Sequence, residues 1–522
     1  PEQFSFTAEK KLMENKKSII NAEVITFNRL AYRVINEIGG VKNNLSKSGK
    51  AMLIYSILQN ERNNLIFLNK SDENIDLCMR SISEFKKHGI LINDLKNEKE
   101  KINDKYLKNK LNDLILIYEN FEKKIKNKYI DETDLLTILS ESIDKVNLLN
   151  NSEIYIDEFS GFTEQEYLII KKLIKIANNV TITFCVDNLE LNTNPNTDIF
   201  YPNKLTYKKI INLINNNEKI EKINLNNFYR FKNEELKYIE KYLFNTKIEK
   251  YNLEKNNINL FLAKNQYTEI ENIAKKINIL IKEKNIRFKD ISIITKNIEK
   301  YSGITKAIFE NYNIPIFIDE KKDLNQNIIV QYILSILNIY INNYSYESIF
   351  NYLKTGFLDI DENDIFKFEK YCIKYGIKYN KFKKDFNLGI NEKNKEKINY
   401  LNEIRKKIIN PLINLKNKID NEKNAKNISK EFYLFLINQK IEEKIKNKIK
   451  KLNKNNFLDL AKEYEETFKI IINILDEINI IFNEEKITID KFNKILKVGL
   501  KNSGLGKIPT MQDQVIMGDV DR

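Results

Sequence analysis

Apolar residues along this chain recur with two different periods, and the alternation between them sets mixed strand-and-helix stretches apart from helical ones. Val24-Ile25-Thr26-Phe27 is a short β-branched and aromatic run that reads as a strand. Leu30, Val34, Ile35 and Ile38 then fall three and four apart, as on one face of a helix, until Gly39-Gly40 stops it. From about 45 to 145 the pattern is helical, with Leu53, Ile54, Ile57 and Leu58 on one stripe and Leu111, Leu114, Ile115 and Tyr118 on another. Ile154-Tyr155-Ile156 is a further strand, the stretch from Thr163 to Ile176 a helix with Glu164 and Glu166 in its first turn, and Val180 to Val186 a buried strand. A strand, a helix and a strand in so short a span form a βαβ unit with parallel strands.

The stretch from about 188 to 257 is rich in Asn and holds Pro195 and Pro202, which makes it the best boundary candidate. A second α/β pattern follows. Ile258 to Ala263 reads as a strand, and Thr268 to Lys284 as a helix with Ile270, Ile273, Ala274, Ile277 and Ile281 inward. Ile291 to Ile294 is a strand, and so is Ile314 to Ile318, which Pro315 confines to a sheet edge. From about 325 to 500 the pattern is again helical, and Val515-Ile516-Met517 reads as the chain returning to the second sheet. The plan expected is two α/β domains, 1–245 and 246–522, with helical insertions at about 45–145 and 325–505.

Composition narrows the function. The 522 residues contain 13 Gly and 6 Pro, too few turns and breakers for an all-β design. Lys and Arg number 87 against 73 Asp and Glu, a net charge of +14 that suits a polyanionic partner, although a bias toward Lys, Asn and Ile loads any surface with lysine. Cys78, Cys185, Cys372 and the lone His88 lie far apart, so no thiolate metal-site spacing exists. Neither a signal peptide nor a long uncharged apolar run occurs, and a soluble cytoplasmic protein without a membrane role is expected. Pro1-Glu2-Gln3-Phe4 and the end at Arg522 both read as cuts within a longer chain.

The most specific motif is Ile154-Tyr155-Ile156-Asp157-Glu158-Phe159. It sets two carboxylates at the carboxyl edge of a parallel strand, where open α/β sheets bind ligands. In nucleotide motors this is the Walker B position, with Asp holding Mg²⁺ and Glu orienting water; the pair also fits a plain strand end. No phosphate loop accompanies it. Around Ser48-Gly49-Lys50 the register G-x-x-x-x-G-K-[ST] would need Gly at Asn44 and Ser or Thr at Ala51. Gly506-Lys507 fails at Lys501 and Ile508, so any such loop is expected upstream of Pro1. Thr26, Asn28, Arg29 and Arg33 place a hydroxyl, an amide and two guanidiniums near a helix N-terminus, the donors that grip a phosphate backbone. Phe4 and Phe6 could stack bases or fill a strand core.

The order of these signals resembles the AddB family, one half of the bacterial helicase-nuclease AddAB. The resemblance runs through Pro1 to Phe6, Thr26 to Val34, Leu45 to Lys50, Ile156 to Thr163, Ile314 to Lys321, Tyr352 to Gly356 and the end of the chain from Asp513 to Arg522, covering nearly the whole sequence. It implies two superfamily 1 helicase-like (RecA-like) parallel-sheet domains, each with a helical insertion. It also implies an AddA-like helicase-nuclease partner in a heterodimer, DNA ends and single strands as substrate, double-strand-break processing for recombinational repair, and scanning for the Chi sequence. Members of the family use ATP and Mg²⁺ and carry a [4Fe–4S] cluster in a nuclease domain; the nucleotide loop and cluster ligands are not in this sequence. Carried over, Asp157 and Glu158 match the motor carboxylates, and Thr26, Asn28 and Arg29, with Phe4 and Phe6, match strand-contact regions. Lys296 stands where an active motor places an arginine, keeping the charge without the planar fork. The alternatives are an active superfamily 1 DNA helicase, and a non-catalytic DNA-binding scaffold for a nuclease partner.

Overall fold

The computed structural model describes residues 8–9, 12–13, 22–39, 43–68, 74–126, 128–157, 159–191, 195–214, 219–225, 231–244, 249–253, 257–320, 324–390, 392, 394–455, 457–504 and 513–520. Thr26 is extended and caps α1 (Phe27–Ile38), its hydroxyl accepting the Arg29 N–H at 3.2 Å, and Gly39 closes the helix at φ 80°. The strand expected at 24–27 is therefore an extended lead into a helix, and Phe27 belongs to the helix. A hydroxyl placed to cap wins over a short β-branched run that finds no ladder among the described residues.

Next come β1 (Asn43–Leu45), the helices α2 (Lys47–Asn60), α3 (Asn74–Lys87), α4 (Ile92–Lys101) and α5 (Lys105–Ile125), and then β2 (Tyr129–Asp131). β2 pairs parallel with β1, Leu45 opposite Asp131. The four helices are thus inserted between two neighbouring strands, and the second of those strands lies inside the span expected to be purely helical. After α6 (Leu135–Ser142), the βαβ unit is present: β3 (Glu153–Ile156), α7 (Glu164–Ile176) and β4 (Asn179–Ile182), with β3 and β4 parallel and Ile156 opposite Ile182. Thr163 and Glu166 form a reciprocal capping box at the start of α7. β4 is shorter than expected and only half-buried, because β3 is its one partner among the described strands. Leu30, Ala31, Val34, Leu135, Leu139, Ile169 and Leu173 bring α1, α6 and α7 together over this part of the chain.

The Asn-rich stretch holds two helices, α8 (Tyr201–Leu213) and α9 (Glu234–Tyr242). Residues 258–263 form no ladder among the described residues, and Leu260 and Leu262 are fully exposed, against the strand expected there. The second α/β unit contains α10 (Gln266–Lys284), β5 (Ser292–Thr295), α11 (Ile298–Asn311) and β6 (Ile316–Ile318). Ile270, Ala274, Ile277, Ile308 and Phe309 form its core with Val515.

The helices α12 (Ile328–Ile341), α13 (Tyr346–Leu353), α14 (Glu362–Tyr375), α15 (Lys395–Asn421), α16 (Ala425–Asn438), α17 (Ile441–Lys454), α18 (Leu458–Phe482) and α19 (Ile489–Asn502) follow, and β7 (Val515–Asp519) closes the described chain. β7 lies between β5 and β6, parallel to both, so the return to the second sheet is observed and β6, after Pro315, is at the edge. All three described sheets are parallel and small, and helices dominate the chain.

The two helical segments expected as separate insertions share one hydrophobic core. Met52, Ile54 and Phe121 from the first lie in the same buried cluster as Tyr332, Phe432, Phe492 and Leu496 from the second. Gly499 marks the closest approach: a Cβ added there would stand 2.9 Å from Met52 Sδ and 3.0 Å from Ile474 Cγ2. Gly499→Leu is expected to lower the stability of the chain by about 1–3 kcal/mol through overpacking, measured as the midpoint of denaturant unfolding; an unchanged midpoint would contradict so close a seam.

Candidate nucleic-acid interface

A cleft of about 1440 Å³ runs past the carboxyl ends of three strands. Ser46 and Lys47 follow β1, Asp131, Glu132 and Thr133 end β2, and Asp157 and Phe159 follow β3; Thr26, Phe27 and Asn28 join them from the start of α1. Parallel strands deliver their ends to one edge, which explains why residues so far apart in sequence line one opening.

Beneath the cleft is a buried charge network. Lys50 Nζ, on α2, donates to Asp131 Oδ2 at 2.7 Å and to Ser83 Oγ at 2.9 Å. Lys86 Nζ, on α3, lies 3.5 Å from the same Asp131 oxygen, 2.9 Å from Asp134 and 2.7 Å from Glu122. Thr133 Oγ1 donates to Asp131 at 2.6 Å, and both ammonium groups lie over the Phe121 ring, at 5.4 and 5.2 Å. Burial pushes the Asp131 carboxyl up, but Lys50 and Lys86 outweigh it and hold the group below the usual carboxylate range. Burial, joined by the neighbouring Lys86 charge, lowers Lys50 by more than Asp131 and Asp134 restore, whereas Lys86, also desolvated, is raised by Asp131, Asp134 and Glu122. The ammonium group of the Gly-Lys pair that resembles a phosphate loop is therefore committed to Asp131. Gly49 beside it is part of a packed helix, with Leu45 Cδ1 2.9 Å from where a Cβ would be. These residues do not fit a phosphate cradle.

The rim carries different chemistry. Lys47 and Arg80 are exposed and line the opening. Phe27, Phe159 and Phe162 form an aromatic cluster, with Phe159 and Phe162 stacked at 5.0 Å and Phe27 edge-on to Phe159 at 5.9 Å. Tyr155 is 72% exposed on the same strand end. Exposed rings beside exposed cations are what a single-stranded nucleic acid uses, bases on the rings and phosphates on the cations.

Of the residues singled out in the sequence, Thr26, Asn28 and Asp157 meet in this cleft. Thr26 acts as a helix cap, Asn28 is half-buried, and Asp157 is exposed and accepts a hydrogen bond from Thr183 Oγ1. Arg29 and Arg33 are exposed on α1, and Arg33 is held by Glu23 at 2.6 Å, so Arg29 is the freer of the two. Lys296 is exposed on the turn after β5 and does not line the cleft. Phe4, Phe6, Glu158 and the Gly506-Lys507 pair lie outside the described residues. No group of three or more His, Cys, Asp or Glu suited to a metal ion occurs among the described residues. Cys78 and Cys372 are buried and Cys185 is exposed, each on a different part of the chain, which does not fit a cluster. Lys47, Arg80 and Phe159 were not singled out as contacts in the sequence, where a bias toward Lys, Asn and Ile loads any surface with lysine.

The network yields a pH-dependent prediction. Because the folded-state value of Asp131 is depressed, its stabilisation is complete above the ordinary carboxylate value of about 3.9 and is lost as pH falls through the lowered one. Asp131→Asn, which strands the buried Lys50 ammonium group while Lys86 keeps Asp134 and Glu122, is expected to cost about 3–5 kcal/mol at neutral pH, and the gap from the parent chain should narrow below pH about 4. A constant gap across that range, in denaturant titrations at several pH values, would contradict the assignment.

The chain is similar to known proteins along its whole length. A family model described as "ADDB, N-terminal" matches residues 1–240. Over its full length the chain is 37% identical to the B chain of the ATP-dependent helicase/deoxyribonuclease of Clostridium acetobutylicum, 38% to that of Clostridium botulinum strain Hall, and 36% to that of Caldanaerobacter subterraneus. In each case it covers 47% of the relative, so the chain spans about half the length of the curated proteins it matches.

Proposed function

Since the chain belongs to the AddB family, matched by its N-terminal model and similar along its whole length to curated AddB-type proteins, we propose that it is the DNA-binding, helicase-like portion of the AddB half of an ATP-dependent helicase/deoxyribonuclease. The observation that carries this reading is the convergence of Thr26, Asn28, Lys47, Asp157 and Phe159 on one cleft at the carboxyl ends of parallel strands. The ligand is a DNA single strand, its phosphates met by Lys47, Arg29 and the Thr26–Asn28 turn and its bases by Phe159 and Tyr155.

In the finer reading, the two parallel-sheet units correspond to two RecA-like domains, the first about 1–245 and the second about 246–522. The parallel order of every described ladder supports this. The whole protein then pairs with an AddA-like helicase-nuclease in the cytoplasm, processes double-strand breaks, and scans the unwound strand for Chi. ATP, Mg²⁺ and a [4Fe–4S] cluster serve the whole protein, whose nucleotide loop and cluster ligands are not in this sequence. No helix among the described residues is long and apolar enough to cross a membrane.

Two features favour strand contact over motor action within this chain. Lys50 is sequestered by Asp131, and Lys296 lacks the fork of an arginine that stabilises charge on a transferring phosphoryl group. A scaffold that held DNA through charge alone would need neither the aromatic cluster nor its position at the strand ends.

Lys47→Ala is expected to weaken binding of a labelled oligothymidylate several-fold and to reduce the slope of log K against log salt by about 0.7, one phosphate contact on a single strand. Fluorescence anisotropy across a salt series measures both; an unchanged slope would remove Lys47, and with it the cleft, from the strand's path.

A further inference from the structure

The chain's positive charge is not spread evenly. Residues 371–460 hold 23 Lys and Arg against 10 Asp and Glu, a surplus of 13 within a chain whose total is +14. Its densest part is Lys374-Tyr375-Gly376-Ile377-Lys378-Tyr379-Asn380-Lys381-Phe382-Lys383-Lys384, five lysines and no acid, at the end of α14 and the short helical turn after it. All five lysines are exposed, and among the described residues none is in an ion pair. The next acid along, Asp385, is taken by Arg405.

Tyr379 in this stretch has an unusual backbone. It sits at φ 57°, a region that favours glycine, and its N–H donates to Tyr344 O at 2.9 Å. The surroundings hold a bulky residue in a strained conformation with its side chain 46% exposed, which points to a task for that ring. Tyr379 forms one wall of a second cavity, of about 440 Å³, whose other walls include Ser335, Asn338, Asn342, Ser348 and Asn351. Amides and hydroxyls of this kind donate and accept hydrogen bonds without charge. Glu347, at the same opening, disfavours a phosphate inside it while still accepting from an amino group.

We infer that this cavity takes a single unstacked base of a DNA strand, with Tyr379 stacking on it and Lys378, Lys381 and Lys384 holding the flanking phosphates. The site is separate from the strand-end cleft, is built on α12, α13 and the turn after α14, and has room for one nucleoside. The inference rests on the proposed reading that the chain contacts DNA.

The test is anisotropy of a labelled oligothymidylate and of a duplex of equal length, with the parent chain, Tyr379→Ala, Tyr379→Phe, the pair Lys378→Glu with Lys381→Glu, and Lys47→Ala. Tyr379→Ala should weaken single-strand binding about tenfold, Tyr379→Phe should restore it, the lysine pair should also flatten the salt slope, and duplex binding should change little on Tyr379→Ala. Parent-like binding by Tyr379→Ala and the lysine pair, with Lys47→Ala still weakened, would overturn this site and leave the cleft reading standing. Equal losses on single strand and duplex would overturn the base-pocket assignment. A parent chain that binds neither DNA would overturn both readings at once.

Discussion

Lys50 and Lys86 approach one carboxylate, Asp131, from two different helices, and the rest of the strand-end cleft depends on that meeting. Asp131 is the last residue of β2 and lies opposite Leu45, the last of β1, so the ion pairs tie the ends of both strands to α2 and α3. A buried ammonium group is costly unless it is paired and hydrogen-bonded. Three carboxylates, two hydroxyls and one aromatic ring surround the two lysines, meeting that demand in full for Lys86 and in part for Lys50. The three-residue strands are too short to fix their own ends, and the charges do it for them. Ser48 extends the tie, its hydroxyl donating to Glu477 on α18 at 2.8 Å, and so links the cleft to the second helical segment.

This arrangement explains a division of labour among the cations. Those inside are spent on structure, while those at the rim, Lys47 and Arg80 above all, remain open to a ligand. The same division holds for rings: Phe121 is buried beneath the ammonium groups, whereas Phe159 and Tyr155 reach solvent at the strand ends. A cleft floored by neutralised charge, with Lys47, Arg80 and exposed rings at its edge beside the carboxylates of Glu132 and Asp157, suits a ligand that is itself a chain of charges with flat faces. The basic turn around Tyr379 repeats that combination on the helical body.

Much of the scaffold was legible in the sequence, for local reasons. The βαβ unit announced itself through an apolar triplet, a helix with Glu164 and Glu166 in its first turn and a second β-branched run, and Pro315 marked the sheet edge because proline cannot donate to a ladder. The return of Val515 to Met517 was readable from a breaker-rich stretch followed by apolar residues, though not its central place between β5 and β6. What failed was decided at long range. Tyr129 to Asp131 is too brief to interrupt a helical pattern, and the strand expected at 258–263 is an apolar run with no partner among the described residues. The union of two helical segments in one core, and the commitment of Lys50 to a carboxylate 81 residues away, leave no periodic trace. For the candidate cleft, Thr26, Asn28 and Asp157 were singled out because strand ends and helix starts are local signals; Lys47 and Arg80 were not, because a cation that lines a cleft looks like any other in a lysine-rich chain.

On the path proposed above, a DNA single strand crosses the carboxyl ends of β1, β2 and β3. Photocrosslinking an oligonucleotide that carries iodouracil, followed by mass mapping of the adducts, reads that path. Adducts are expected on Tyr155 and Phe159, lost when unlabelled single strand competes. Adducts confined to the helical body, with none on the segments around Phe27, Lys47 or Phe159, would contradict it.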